Sequence, residues 1–87
     1  MTKEVLLSSP AQKQYGNLQS EMKKRIKNAL QRLAESGTGD IKKLKGVKGG
    51  ADLFRLRVGD YRIIYSNDPD GIHVTMIFQR GKGYDWL

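Results

Sequence analysis

The segment Arg55-Leu56-Arg57-Val58-Gly59-Asp60-Tyr61-Arg62 gathers three arginines around one Gly-Asp dipeptide. With Gly59-Asp60 as the two-residue loop of a hairpin, glycine stands first, as a type II′ turn prefers. Val58 then faces Tyr61, Arg57 faces Arg62, Leu56 faces Ile63, Arg55 faces Ile64 and Phe54 faces Tyr65. Alternation puts Phe54, Leu56, Val58, Tyr61, Ile63 and Tyr65 on one face and Arg55, Arg57 and Arg62 on the other. Like charges directly across a strand pair repel. Facing arginines therefore point to a docked anion, and the planar guanidinium fork suits a phosphate held by two hydrogen bonds. The competing reading is that the arginines only solubilise the open face of a half-covered sheet. That leaves unexplained why Glu, Thr or Ser, which would not repel one another, are missing there.

Other chemistry is mostly excluded. His73 is the sole histidine, which rules out a two-histidine ribonuclease mechanism and a histidine-rich metal site; it reads as a surface strand residue. No carboxylates cluster at metal spacing, and without cysteine there is no thiolate zinc site. Gly46, Gly49 and Gly50 lack the strand-then-helix setting of a phosphate loop, and no serine or threonine sits in a nucleophile motif. Trp86 and Leu87 read as packing anchors. Lys42, Lys43, Lys45 and Lys48 fall between Asp40 and Asp52 with no acid among them. They form either a solvated loop over Ile41 and Leu44 or a surface for RNA or the ribosome. Late in the chain, strict alternation through Val74, Met76 and Phe78 would drive Arg80 into the core, which a charge resists. Either the strand ends near Phe78 or a bulge redirects it. Gly81-Lys82-Gly83 then permits a turn that brings Tyr84 near the arginine face, where a phenol can stack on a base or bond a phosphate.

The elements that must position these groups follow from local pattern. Residues 4–8 are a short apolar run that reads as a strand. Ser9 is placed to cap a helix, with Pro10 first inside it and Gln12 completing a capping box; Gly16-Asn17 ends that helix. A second begins near Asn17 or Ser20, because Leu18, Met22, Ile26, Ala29, Leu30 and Leu33 recur at helical spacing, and 36–39 (Ser-Gly-Thr-Gly) stops it. The hairpin of 53–65, a turn over 67–71 and a strand over 72–78 follow. The expected fold is α+β over one domain, 1–87: a small, mainly antiparallel sheet with an N-terminal helical hairpin on one face, in the order βααβββ.

Composition narrows the partners. The 87 residues carry a net charge of +7, which favours a polyanion or an acidic protein. Nucleic acid leads, because no segment joins a basic face to a wide apolar stripe as membrane binding needs. Absent cysteines suit a cytoplasmic setting, and residues 1–8 do not read as a signal peptide.

The run Leu53-Phe54-Arg55-Leu56-Arg57-Val58-Gly59-Asp60-Tyr61-Arg62-Ile63-Ile64-Tyr65 resembles the RelE/ParE superfamily of toxins from bacterial and archaeal toxin–antitoxin systems. The similarity extends over nearly the whole chain: the opening strand, Ser9-Pro10, the stretch 43–46 (Lys-Leu-Lys-Gly), the Gly-Asp-Tyr-Arg turn, and Arg80 followed four residues on by Tyr84. It implies a RelE-like fold and a toxin that cleaves messenger RNA in the 30S A site of the ribosome, beside 16S rRNA. The cut is attack of a ribose 2′-OH on the adjacent phosphate, without metal or other cofactor. The resemblance assigns Arg55 and Arg57 to the basic pair before the turn, Arg62 to phosphate binding, Arg80 to the late arginine and Tyr84 to base stacking. Gln79 stands where many relatives have histidine, and arginines stand where some have lysines; since arginine stays protonated, the general base is left unassigned. An acidic RelB-like antitoxin is the implied partner. The alternatives are a ParE-like toxin that inhibits DNA gyrase without cutting RNA, or a degenerate binding protein.

Overall fold

The computed structural model of the chain describes residues 3–44 and 52–81. In chain order it has β1 (Glu4–Leu7), α1 (Ser9–Gly16), α2 (Ser20–Ser36), β2 (Asp40–Lys43), β3 (Leu53–Val58), β4 (Tyr61–Asp68) and β5 (Gly71–Gln79). The strands make one sheet in the order β1-β5-β4-β3-β2. β1 runs parallel to β5 and every other pairing is antiparallel. The α+β fold with its N-terminal helices is as expected, with one added strand. Residues 40–43, expected as the start of a lysine loop, pair with β3 from Asp40↔Arg57 to Lys43↔Phe54. Ile41 is the one apolar residue of that strand, too little to announce a period of two. Its packing against the core and the bond from Leu44 N–H to Leu53 O at 2.8 Å fix the pairing.

Helix α1 is capped by Ser8, one residue earlier than the Ser9 expected. Ser8 Oγ accepts from Ala11 N–H at 3.2 Å, a contact typically worth about 1 kcal/mol, and Ser8 O accepts from Gln12 N–H, which starts the helix there. Gln12 closes no capping box; its Nε2 donates to Leu7 O. Helix α2 ends at Gly37, whose φ of 70° is the left-handed conformation that glycine adopts freely. Ile26, Leu30, Leu33 and Ala34 form its buried face and meet Leu56, Val58, Ile63, Tyr65, Ile72, Val74 and Ile77 from the sheet.

A bulge in β5 sets which residues reach the other face. The register with β4 steps from Tyr65↔Val74 to Ile64↔Met76, leaving Thr75 unmatched. Val74 and Ile77, three apart, thus both face the helices, and Met76 and Phe78 turn to the side that carries Arg62. Thr75 Oγ1 donates to Ile64 O at 3.1 Å. β1 stops at Leu7↔Val74, so beyond it the outer edge of β5 would be bare. Helix α1 covers it instead: Ser8 Oγ donates to Thr75 O at 2.8 Å, and Gln14 Oε1 accepts from Ile77 N–H at 2.6 Å. An edge satisfied in this way cannot template another strand.

Candidate functional site

The β3–β4 hairpin has the register that its sequence dictates, from Val58↔Tyr61 through Arg57↔Arg62 to Phe54↔Tyr65. Gly59 has a φ of 57° and Asp60 does not share the positive sign, which is the backbone of a type II′ turn. Phe54 and Tyr65 stack on the helix side with ring centroids 5.5 Å apart, and burial raises the Tyr65 pKa above its ordinary value.

On the opposite face Arg62 is only 6% exposed. Its Nη1 donates to Gly59 O and Tyr61 O, each at 3.2 Å, and among the described residues no carboxylate neutralises it. Burying a cation with carbonyls alone for partners costs free energy. In register it lies between Arg57 on β3 and Phe78 on β5. Arg57 is exposed. Arg55, expected as a free member of the face, is instead paired: its Nη2 lies 3.4 Å from Asp40 Oδ1, while its buried Nε has no partner. The pairing escaped the sequence because Asp40 comes within reach only through β2. Arg80 follows β5, exposed, with its N–H bonded to Asp60 O at 2.6 Å. That bond sets its backbone beside the turn that separates Arg57 from Arg62. The bulge that was one of two ways to keep Arg80 out of the core therefore exists, but at Thr75, and the strand runs on to Gln79.

The lysines divide. Lys42 pairs in register with Arg55 and shares its face, whereas Lys43 pairs with Phe54 on the other side, and its Nζ is 3.1 Å from Asp52. Lys45, Lys48 and Tyr84 lie outside the described residues, as do Gly46, Gly49, Gly50, Trp86 and Leu87.

His73 corrects a second expectation. Its Nε2 lies 3.5 Å from Asp68 Oδ2 and 3.3 Å from Asp70 Oδ1, so the turn after β4 does gather two carboxylates and an imidazole. Ser66 Oγ also donates to Asp68. The Asp-Pro-Asp-Gly turn, read only as a chain reversal, folds both acids back onto the strand. By register His73 is opposite Ser66, four residues from Arg62 along β4, or roughly 13 Å, so it stands apart from the arginines. The carboxylate in register with this face, Asp40 opposite Arg57, is engaged by Arg55. The arrangement can grip a phosphate and stabilise charge that develops on it.

A further group of arginines went unread in the sequence. Arg25 and Arg32 lie seven apart on α2, with Asn28 between, and line a cleft of 380 Å³ closed on its other wall by Arg57, Val58 and Gly59. The i, i+7 spacing was legible, but which side of the sheet it would meet was not.

A family model described as the ParE toxin of the type II toxin–antitoxin system, parDE, matches residues 5–84. No curated protein matches the chain significantly. Among solved structures, an archaeal RelE–RelB complex from Pyrococcus horikoshii OT3 is 29% identical with a TM-score of 0.79, over 95% of this chain and 100% of that one. A RelB–RelE antitoxin–toxin complex from Methanococcus jannaschii is 28% identical with a TM-score of 0.71, over 94% and 98%. The isolated E. coli RelE toxin shares the fold, with a TM-score of 0.70 at 16% identity over 99% and 92%.

Proposed function

As the chain belongs to the RelE/ParE toxin superfamily of type II toxin–antitoxin systems, we propose that it is a metal-independent endoribonuclease that cuts messenger RNA in the ribosomal A site. The observation that carries this reading is Arg62, a guanidinium 6% exposed, opposite Arg57 across the hairpin and held, among the described residues, by carbonyls alone. A phosphate is the ligand that offsets such burial. Arg62 and Arg55 hold the scissile phosphate, with Asp40 steadying Arg55. Arg57 polarises the attacking 2′-OH, and Arg80 stabilises the leaving oxygen. A bond forms between O2′ and phosphorus as the bond from phosphorus to O5′ breaks; the 2′-OH gives up its proton and O5′ gains one. Rate then comes from in-line positioning and charge stabilisation. Tyr84 orients a base, and Lys42, Lys43, Lys45 and Lys48 meet the ribosomal RNA. The partner is an acidic antitoxin of the RelB type; the similar RelE chains from Pyrococcus horikoshii and Methanococcus jannaschii are solved in complex with RelB.

The match to a ParE model favours a second reading, inhibition of DNA gyrase without RNA cleavage. Toe-printing of a translating message separates the two. Cuts in the A-site codon that vanish in Arg62→Ala support the nuclease; free RNA should be cut poorly. Intact messages at toxic doses, with supercoiling by gyrase inhibited, favour the alternative.

A further inference from the structure

The cleft between α2 and the end of β3 lies outside the arginine face, yet it shares a residue with it. Arg57 faces Arg62 across the hairpin and also lines the cleft, opposite Arg25 and Arg32. We propose that this cleft is a second phosphate site, which takes the backbone of the RNA strand as it leaves the hairpin; the inference rests on the nuclease reading above.

Three arginines line it, Arg25 and Arg32 from α2 and Arg57 from β3, with Asn28 and Thr38 as neutral polar residues. Among the described residues none of the three is in an ion pair. Asp40 supplies the one carboxylate of the lining, and Arg55 engages it at 3.4 Å. The cleft is thus left strongly cationic, and mutual repulsion among its arginines is relieved when a polyanion binds. Arg25 is also held in place. A Cβ added at Gly59 would stand 3.3 Å from Arg25 Nη2 and 3.4 Å from Nη1, so the guanidinium lies directly over the bare glycine. Gly59 O accepts from Arg62 Nη1. One turn is therefore held by Arg25 from the helix side and by Arg62 from the other, and the two anion sites share that wall. A carboxylate-bearing peptide could satisfy the same forks. Continuity around the shared turn favours RNA, because Arg62 and Arg25 flank Gly59 from its two sides and one strand that rounds the turn meets both.

The test is fluorescence anisotropy of the full chain with a short fluorescein-labelled 2′-O-methyl oligoribonucleotide, which lacks the attacking hydroxyl, over a range of salt. In Arg25→Gln/Arg32→Gln the slope of log K against log salt should shrink by about 1.4, at roughly 0.7 for each phosphate of a single strand that is no longer neutralised. Arg32→Gln alone, which leaves Arg25 over Gly59, should shrink it by about half as much, and Arg25→Lys/Arg32→Lys should keep the slope. An unchanged slope in the glutamine variants overturns the inference. So does an unchanged slope accompanied by weaker binding of the acidic antitoxin, which would make the cleft a peptide site. Arg62→Ala, assayed for ribosomal cleavage in parallel, judges the nuclease reading separately, since the slope needs no cleavage.

Discussion

At the scale of the residue, the role proposed for Arg62 sets function against stability. Its guanidinium is buried with no carboxylate partner among the described residues, so Arg62→Met should hold or raise the thermal midpoint, since a buried charge is removed, while cleavage falls by about 10²–10³, as when a transition-state donor is removed. Arg62→Lys should fail nearly as badly, because the ammonium lacks the planar fork. His73→Ala should leave cleavage near the parental rate, since its partners are Asp68 and Asp70 at the far turn; toe-printing reads all three variants. The Arg57–Arg62 juxtaposition was legible because a two-residue loop and a period of two leave one register. The Arg55–Asp40 pair was not, because fifteen residues separate the two and the strand that joins them contains a single apolar side chain. Tyr65 gives a separate readout. Burial raises its pKa above the ordinary 10.0, so the unfolded chain releases that proton first. Its contribution to stability is full below pH 10 and is lost as pH rises through the raised native value. Urea melts at stepped alkaline pH should show that loss, and Tyr65→Phe should flatten it.

At the scale of the element, the bulge and the β1–β5 pairing decide what reaches the site. An uninterrupted β5 would turn Met76 and Phe78 inward and Ile77 outward, so deleting Thr75 should cost far more stability than Thr75→Ala, which removes only the hydroxyl bond to Ile64 O. Chemical denaturation of the two variants makes the comparison. The sequence exposed a conflict at Arg80 but could not locate its remedy, because the position is fixed by Gln14 of a distant helix and by Ser8, which caps it. Gly71 is the other pivot. A Cβ there would meet Glu4 O at 2.5 Å, a backbone atom that cannot swing aside. Gly71→Ala should therefore destabilise by about 1–3 kcal/mol and loosen β1 first, visible as faster hydrogen exchange at residues 5–7. The helices and the hairpin were readable from period and turn chemistry. The strand 40–43 was not, since its pairing depends on tertiary contact with β3.

At the scale of the whole molecule, a net charge of +7 and two arginine-lined surfaces should accelerate capture by an acidic antitoxin. Raising salt is expected to slow association far more than it speeds dissociation, since apolar contacts hold the complex once formed; stopped-flow mixing at two ionic strengths checks this, and a salt-insensitive association rate would refute it. No helix among the described residues is long and apolar enough to cross a membrane. The strand order carries one more consequence. β5, the last of the described strands in chain order, sits between β1 and β4, so the first strand has no strand to pair with until residues 71–74 exist. A nascent chain halted before residue 71 can build neither the parallel pair nor the bulge that orients Arg80. Long-range closures of this kind complete late. A protein that attacked translating messages would thereby lack its complete arginine face while still being synthesised, and a break in its own message before the codon of residue 71 would leave a fragment without β5.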